Sequence, residues 1–82
     1  MAGTAGVRIT GHARERMEKY LVSEALVRKT LEKPGSVVKG HSGRMIAQGK
    51  LDGYVLRVIY KKEKGVFVVV TVYKARSERY EG

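Results

Sequence analysis

At 82 residues the chain has room for one small hydrophobic core. Having no cysteine, it has neither disulfide nor thiolate chemistry. Seventeen Lys and Arg against eight Asp and Glu give a formal charge of +9 and a pI near 10.1, a balance that draws polyanions: nucleic acid first, then an acidic protein or an anionic membrane.

The Gly/Ala-rich start (residues 1–6) is expected to fray, and the frayed segment is drawn to residue 8, with one domain over residues 9–80. Thr10 is placed to cap a first helix. Behind it Ala13, Met17, Tyr20 and Leu21 fall at i, i+4, i+7 and i+8 and form one apolar stripe. Glu15 and Lys19 make an i,i+4 pair in the favoured order. Ser23 caps a second helix, with Val22 and Val27 spaced for a hydrophobic staple. That helix turns Leu26, Val27, Thr30 and Leu31 inward and stops at Pro34-Gly35.

From Ser36 the period becomes strand-like. A short strand (Ser36 to Lys39) is followed by the loop "GHSG" and a second strand (Arg44 to Leu51). Asp52-Gly53 reads as a two-residue type I′ turn with positive φ at both positions. Tyr54 to Lys61 is the third strand, Glu63-Lys64-Gly65 the next turn, and Val66 to Lys74 the fourth strand. The expected fold class is α+β: two N-terminal helices on one face of a four-stranded, mainly antiparallel sheet.

The Asp-Gly turn pairs Leu51 with Tyr54, and alternation then sorts the faces. One face carries Met45, Ala47, Gly49, Leu51, Tyr54, Leu56, Val58 and Tyr60 with Val66, Val68, Val70 and Val72; it is apolar and belongs under the helices. The other carries Arg44, Ile46, Gln48, Lys50, Val55, Arg57, Ile59 and Lys61 with Phe67, Val69, Thr71 and Tyr73. Its mixture of cations, aromatics, hydroxyls and apolar groups suits a floor that receives a ligand.

Two histidines, one aspartate and no cysteine offer no metal-ligand cluster, and no cofactor is expected. "KGHSGR" lacks the length and lysine of a phosphate loop. The longest apolar run, Val66 to Val70, is too short to span a bilayer, and the N-terminus lacks a signal-peptide layout, so a cytoplasmic location is expected. What remains is metal-independent work on RNA, which carries its own nucleophile in the 2′-hydroxyl. Such work needs donors for the phosphate charge and a group to move protons, which a histidine supplies near neutral pH. His12, Arg44, Lys50, Arg57, Thr71 and Tyr73 are the residues of those types.

The stretches "HARERMEKYLVSEALVRKTLEKPGSV" and "VVVTVYKARSERY", with "GR" and the hairpin between them, resemble RelE/ParE-type toxins and the wider barnase–EndoU–colicin–RelE ribonuclease fold. The likeness is to small members that open on a His-Ala-x-x-Arg-Met helix and end in a Thr-Val-Tyr strand. It covers roughly residues 9–80 and implies a RelE-like fold and RNA cleavage without metal. It points to His12, Arg44, Thr71 and Tyr73 as catalytic and to Arg16 as RNA-binding. Arg76, Arg79 and Tyr80 match the toxins' C-terminal Arg, Lys and Tyr loosely. Lys50, Arg57 and Lys61 join the RNA-binding set from their place on the sheet face.

The function expected is therefore a metal-independent endoribonuclease of toxin type, acting on RNA such as ribosome-associated mRNA or tRNA. The alternatives are a non-catalytic nucleic-acid-binding domain and an interaction module for an acidic antitoxin-like protein. A monomer or a homodimer paired through a sheet edge both fit.

Overall fold

A computed structural model describes residues 6–76. Its elements run β1 (Val7–Ile9), α1 (Gly11–Tyr20), α2 (Glu24–Glu32), β2 (Ser36–Lys39), β3 (Met45–Leu51), β4 (Tyr54–Glu63) and β5 (Val66–Arg76). The five strands form one mixed sheet in the order β1-β5-β4-β3-β2. β2 to β5 are antiparallel neighbours, while β1 lies parallel to β5, with Val7, Arg8 and Ile9 opposite Phe67, Val68 and Val69. No helix among the described residues is long and apolar enough to cross a membrane.

The fold is α+β with two helices, as expected, but it has one strand more than the sequence reading assigns. Val7 and Arg8, left outside the domain there, belong to the sheet. Three residues are too few to carry a period, and their parallel partner lies almost the whole chain away.

Both helix starts follow their caps. Thr10 Oγ1 accepts from the Ala13 N–H at 3.1 Å, and Ser23 Oγ from the Leu26 N–H at 3.1 Å. Helix α1 ends one residue before Leu21, which adopts φ 56°. The Leu21 N–H donates to Glu18 O and the Val22 N–H to Met17 O, so the last carbonyls of α1 are satisfied through a left-handed residue. This turns Leu21 out of the expected stripe: it is 86% exposed, while Val22 takes the place in the core.

The core lies between the helices and one sheet face. Ala13, Met17, Val22, Val27 and Leu31 pack against Ala47, Leu56, Val58, Tyr60, Val69 and Val72. Helix α2 reaches β3 where Gly49 has no side chain; a Cβ there would stand 3.3 Å from Thr30 Oγ1. Thr30 itself is buried, its hydroxyl donating to Leu26 O at 2.9 Å.

Leu51 does face Tyr54 across a two-residue loop. Only Gly53 has positive φ there, however, so the turn is not type I′. Positive φ at two successive loop residues occurs instead at Ser42 (59°) and Gly43 (76°) and, as a two-residue hairpin loop between the paired Glu63 and Val66, at Lys64 (52°) and Gly65 (82°).

A β-bulge divides β5. Ile59 pairs with Thr71 but Tyr60 pairs with Val69, leaving Val70 as the extra residue. One extra residue reverses the alternation before it. Thr71 and Tyr73 keep the face assigned from the sequence, but Phe67 and Val69 turn into the core side, and Val66 and Val68 turn to the open side. Val69 is fully buried, and the Phe67 ring meets Tyr60 edge-on at 5.1 Å. Thr10 seals the bulge: its N–H donates to Val69 O at 3.2 Å, and its hydroxyl lies 3.0 Å from Val69 O and 3.2 Å from Val70 O.

Candidate nucleic-acid interface

The face of the sheet away from the helices is built of transverse rows. The register places Ser36, Gln48, Arg57 and Tyr73 side by side across β2, β3, β4 and β5. Gln48 Nε2 donates to Ser36 Oγ at 2.8 Å, and Arg57 Nη1 donates to Tyr73 Oη at 2.6 Å, with the guanidinium carbon 5.5 Å from the ring centre. These bonds fix a cation and a phenol in one place, since both side chains are half-buried and each is held by its cross-strand neighbour. The Gln48 Oε1 atom is buried without a hydrogen bond among the described residues. An unsatisfied acceptor costs on the order of 1–3 kcal/mol, so this row is not optimised for stability alone.

The next row holds Val38, Ile46, Ile59 and Thr71, an apolar band closed by a hydroxyl. Val38 is 39% exposed. Beyond it Lys61 faces Val68, and Val68 faces Arg8. Arg44, one residue before β3, reaches the level of Lys61 by alternation. Its backbone is held in the β2–β3 loop, with the Gly40 N–H donating to Arg44 O and the Arg44 N–H to His41 O. At the other end of the face Lys50 lies opposite Val55.

Charge is distributed unevenly over the two sides. Arg8, Arg44, Lys50, Arg57 and Lys61 fall on the open face, where Glu63 is the single carboxylate among the described residues. Glu63 holds Lys61 at 3.0 Å. Glu15, Glu18, Glu24 and Glu32 all lie on the helices, where Glu24 pairs with Arg14 at 3.5 Å and with Arg28 at 3.2 Å. The helices set five cations (Arg14, Arg16, Lys19, Arg28 and Lys29) against those four carboxylates, so the open face is the one whose cations are least balanced by acidic groups among the described residues.

The sequence-derived residues are not gathered at one point. Thr71, Tyr73, Arg57, Lys50 and Lys61 share the open face. His12 and Arg16 lie on α1, across the sheet. The Arg14–Glu24 pair turns one flank of α1 toward α2; His12 and Arg16, one turn apart, lie on the opposite flank of this helix, which packs on β5. His12 is exposed and makes no side-chain hydrogen bond among the described residues. Arg76 faces Tyr54 on the helix side of the sheet, so it does not join Arg57 and Tyr73. Arg79 and Tyr80 lie outside the described residues.

Three features of this face escape the sequence reading. Arg8 is hidden because its strand is hidden, although Val-Arg-Ile directly before the Thr10 cap is an alternating triplet. Lys64 is read only as a turn residue. The Gln48–Ser36 bond needs the β2–β3 register, which a five-residue loop does not announce.

A family model described as Domain of unknown function (DUF4258) matches residues 9–74. No curated protein and no solved structure matches the chain.

Proposed function

We propose, from the premise that the chain belongs to the DUF4258 family, that it is a RelE-like, metal-independent endoribonuclease of toxin type whose open sheet face binds RNA. The observation that carries this reading is the Arg57–Tyr73 pair at 2.6 Å, set in a face that holds five cations to one carboxylate among the described residues. A helix pair followed by an antiparallel sheet supports the RelE-like assignment.

In this reading the scissile phosphate sits over β4 and β5. Arg57 supplies positive charge to the phosphate oxygens. The Tyr73 oxygen accepts from the guanidinium, which polarises its O–H toward an anion. Thr71, two residues earlier on the same face, orients the ribose. The 2′-oxygen attacks phosphorus and the bond to the 5′-oxygen breaks. The 2′-proton leaves to a base, and the 5′-oxygen takes a proton from an acid. The products are a 2′,3′-cyclic phosphate and a 5′-hydroxyl. His12 stands on α1, across the sheet from Arg57 and Tyr73, and serves one of these proton transfers only on a strand that rounds the β5 side of the sheet. Arg16, one turn on, and Lys50 hold neighbouring phosphates. Arg44 lies at the far row and is reassigned from catalysis to phosphate binding. The cellular setting this implies is a cytoplasmic one with an acidic antitoxin-like partner.

The deciding experiment is incubation of the pure protein with single-stranded RNA in excess chelator. Cleavage that leaves cyclic phosphate ends, lost in Tyr73→Phe and in His12→Ala, is the expected result. RNA bound but uncleaved at saturating protein would favour the non-catalytic binding domain, which the same charged face also serves.

A further inference from the structure

The open face has a second feature that the reaction above leaves unused. Arg8, Glu63, Lys64, Val66 and Val68 line a cleft of about 640 Å³ where β1 meets the β4–β5 turn. Its floor is apolar, because the bulge at Val70 turns Val66 and Val68 to this side. Its rim is cationic: Arg8 stands beside Val68, and Lys64 occupies the turn. The Glu63 carboxylate is engaged by Lys61 at 3.0 Å, which leaves Arg8 and Lys64 to set the sign of the cleft. Lys64 is also held at φ 52°, a conformation that Asn, Asp or Gly adopts more readily. A lysine kept in that position points to a use for its charge.

We propose that this cleft is a second nucleotide subsite, and that the substrate is an unpaired RNA strand spanning it and the Arg57–Tyr73 row. The inference rests on the reading of the open face as RNA-binding and adds the form of the RNA. Arg8 and Lys64 take a phosphate, and Val66 and Val68 receive the sugar and base. Along β4, Arg57 and Lys61 are four residues apart, about 13 Å at the usual rise, with the apolar band of Ile46 and Ile59 between their rows. That distance takes about two to three linked nucleotides, and the cleft beyond Lys61 carries the path toward the low end of the roughly 4–16 nucleotide sites of small single-strand binders. The apolar band favours bases that are free to lie on it, which a duplex keeps stacked inside.

The test uses Arg8→Ala combined with Lys64→Asn. Asparagine suits the left-handed turn, so the double variant keeps its fold. A labelled uridine octamer is titrated at several salt concentrations. The double variant should bind it at least tenfold more weakly, with a log–log salt slope shallower by about 0.7, the value for one lost phosphate contact on a single strand. A dinucleotide, followed through the ring resonances of Tyr73, should bind both proteins equally. Equal octamer affinity and slope in the two proteins would overturn the subsite. A blunt duplex bound as tightly as the octamer would overturn the unpaired substrate. Failure of the unaltered protein to bind the octamer at all would remove the RNA reading itself and this subsite with it.

Discussion

Arg57 on β4 and Tyr73 on β5 are register partners whose side chains close on each other at 2.6 Å across the open face. The pair is a cation fixed against a phenol, and its two members make separable contributions. Tyr73→Phe keeps the ring that the guanidinium faces and removes only the hydroxyl. The loss of one hydrogen bond should lower stability by about 1 kcal/mol. Cleavage should fall by about 10²–10³-fold, the range for a lost transition-state donor, with RNA affinity little changed. Thermal melting, a gel assay and fluorescence anisotropy separate the three quantities, and parallel losses of affinity and cleavage would deny the phenol a role in the reaction.

His12→Ala isolates proton transfer. The side chain is exposed and unbonded among the described residues, so the melting temperature should not move. Cleavage should drop by about 10²–10⁴-fold. Full activity in this variant would remove His12 from the mechanism.

Thr10 joins α1 to the bulge in β5 through its cap bond and its reach to Val69 O and Val70 O. Thr10→Val keeps the shape and strips out these bonds, and it should destabilise the fold by about 1–2 kcal/mol. In a domain this small that is a fall of about 4–8 °C in Tm for each kcal/mol. Thr10→Ser restores the hydroxyl and should recover most of it. A serine variant as weak as the valine one would mean that the methyl group, not the bonding, matters.

Leu21 gives a prediction of the opposite sign. It is left-handed at φ 56° and 86% exposed, so it bears backbone strain with little burial in return. Leu21→Gly should raise stability by about 0.5–1 kcal/mol, the left-handed relief of roughly 1–2 kcal/mol less the added freedom of the unfolded chain. A denaturant melt with an unchanged slope and a higher midpoint is the expected record; a lower midpoint would show that the Leu21 side chain packs usefully against its neighbours.

Local chemistry made much of this fold readable, and long-range chemistry hid the rest. Thr10 and Ser23 announced the helix starts because a cap acts within three residues. The pairing of Leu51 with Tyr54 followed from an Asp-Gly bend, although the turn there has positive φ at Gly53 alone. β1 was hidden because its partner is remote, and with it went Arg8. The facing of β5 was right after Val70 and inverted before it, since nothing in a run of five residues containing four valines marks which one is extra. Thr71 and Tyr73 were placed correctly for that reason, and Phe67 and Val69 were not. Resemblance joins His12 and Arg16, on the first helix, to the sheet residues; they do lie on α1, in the layer across the sheet from Arg57 and Tyr73.

The single surplus residue at position 70 also governs how this chain should be compared with its kin. A relative lacking it would need the opposite hydropathy parity over the first half of its last strand to bury the same surface. Aligned without a gap there, two such proteins would seem to exchange core for floor. A one-position gap opposite Val70 is the evolutionary signature this knot of backbone bonds should leave.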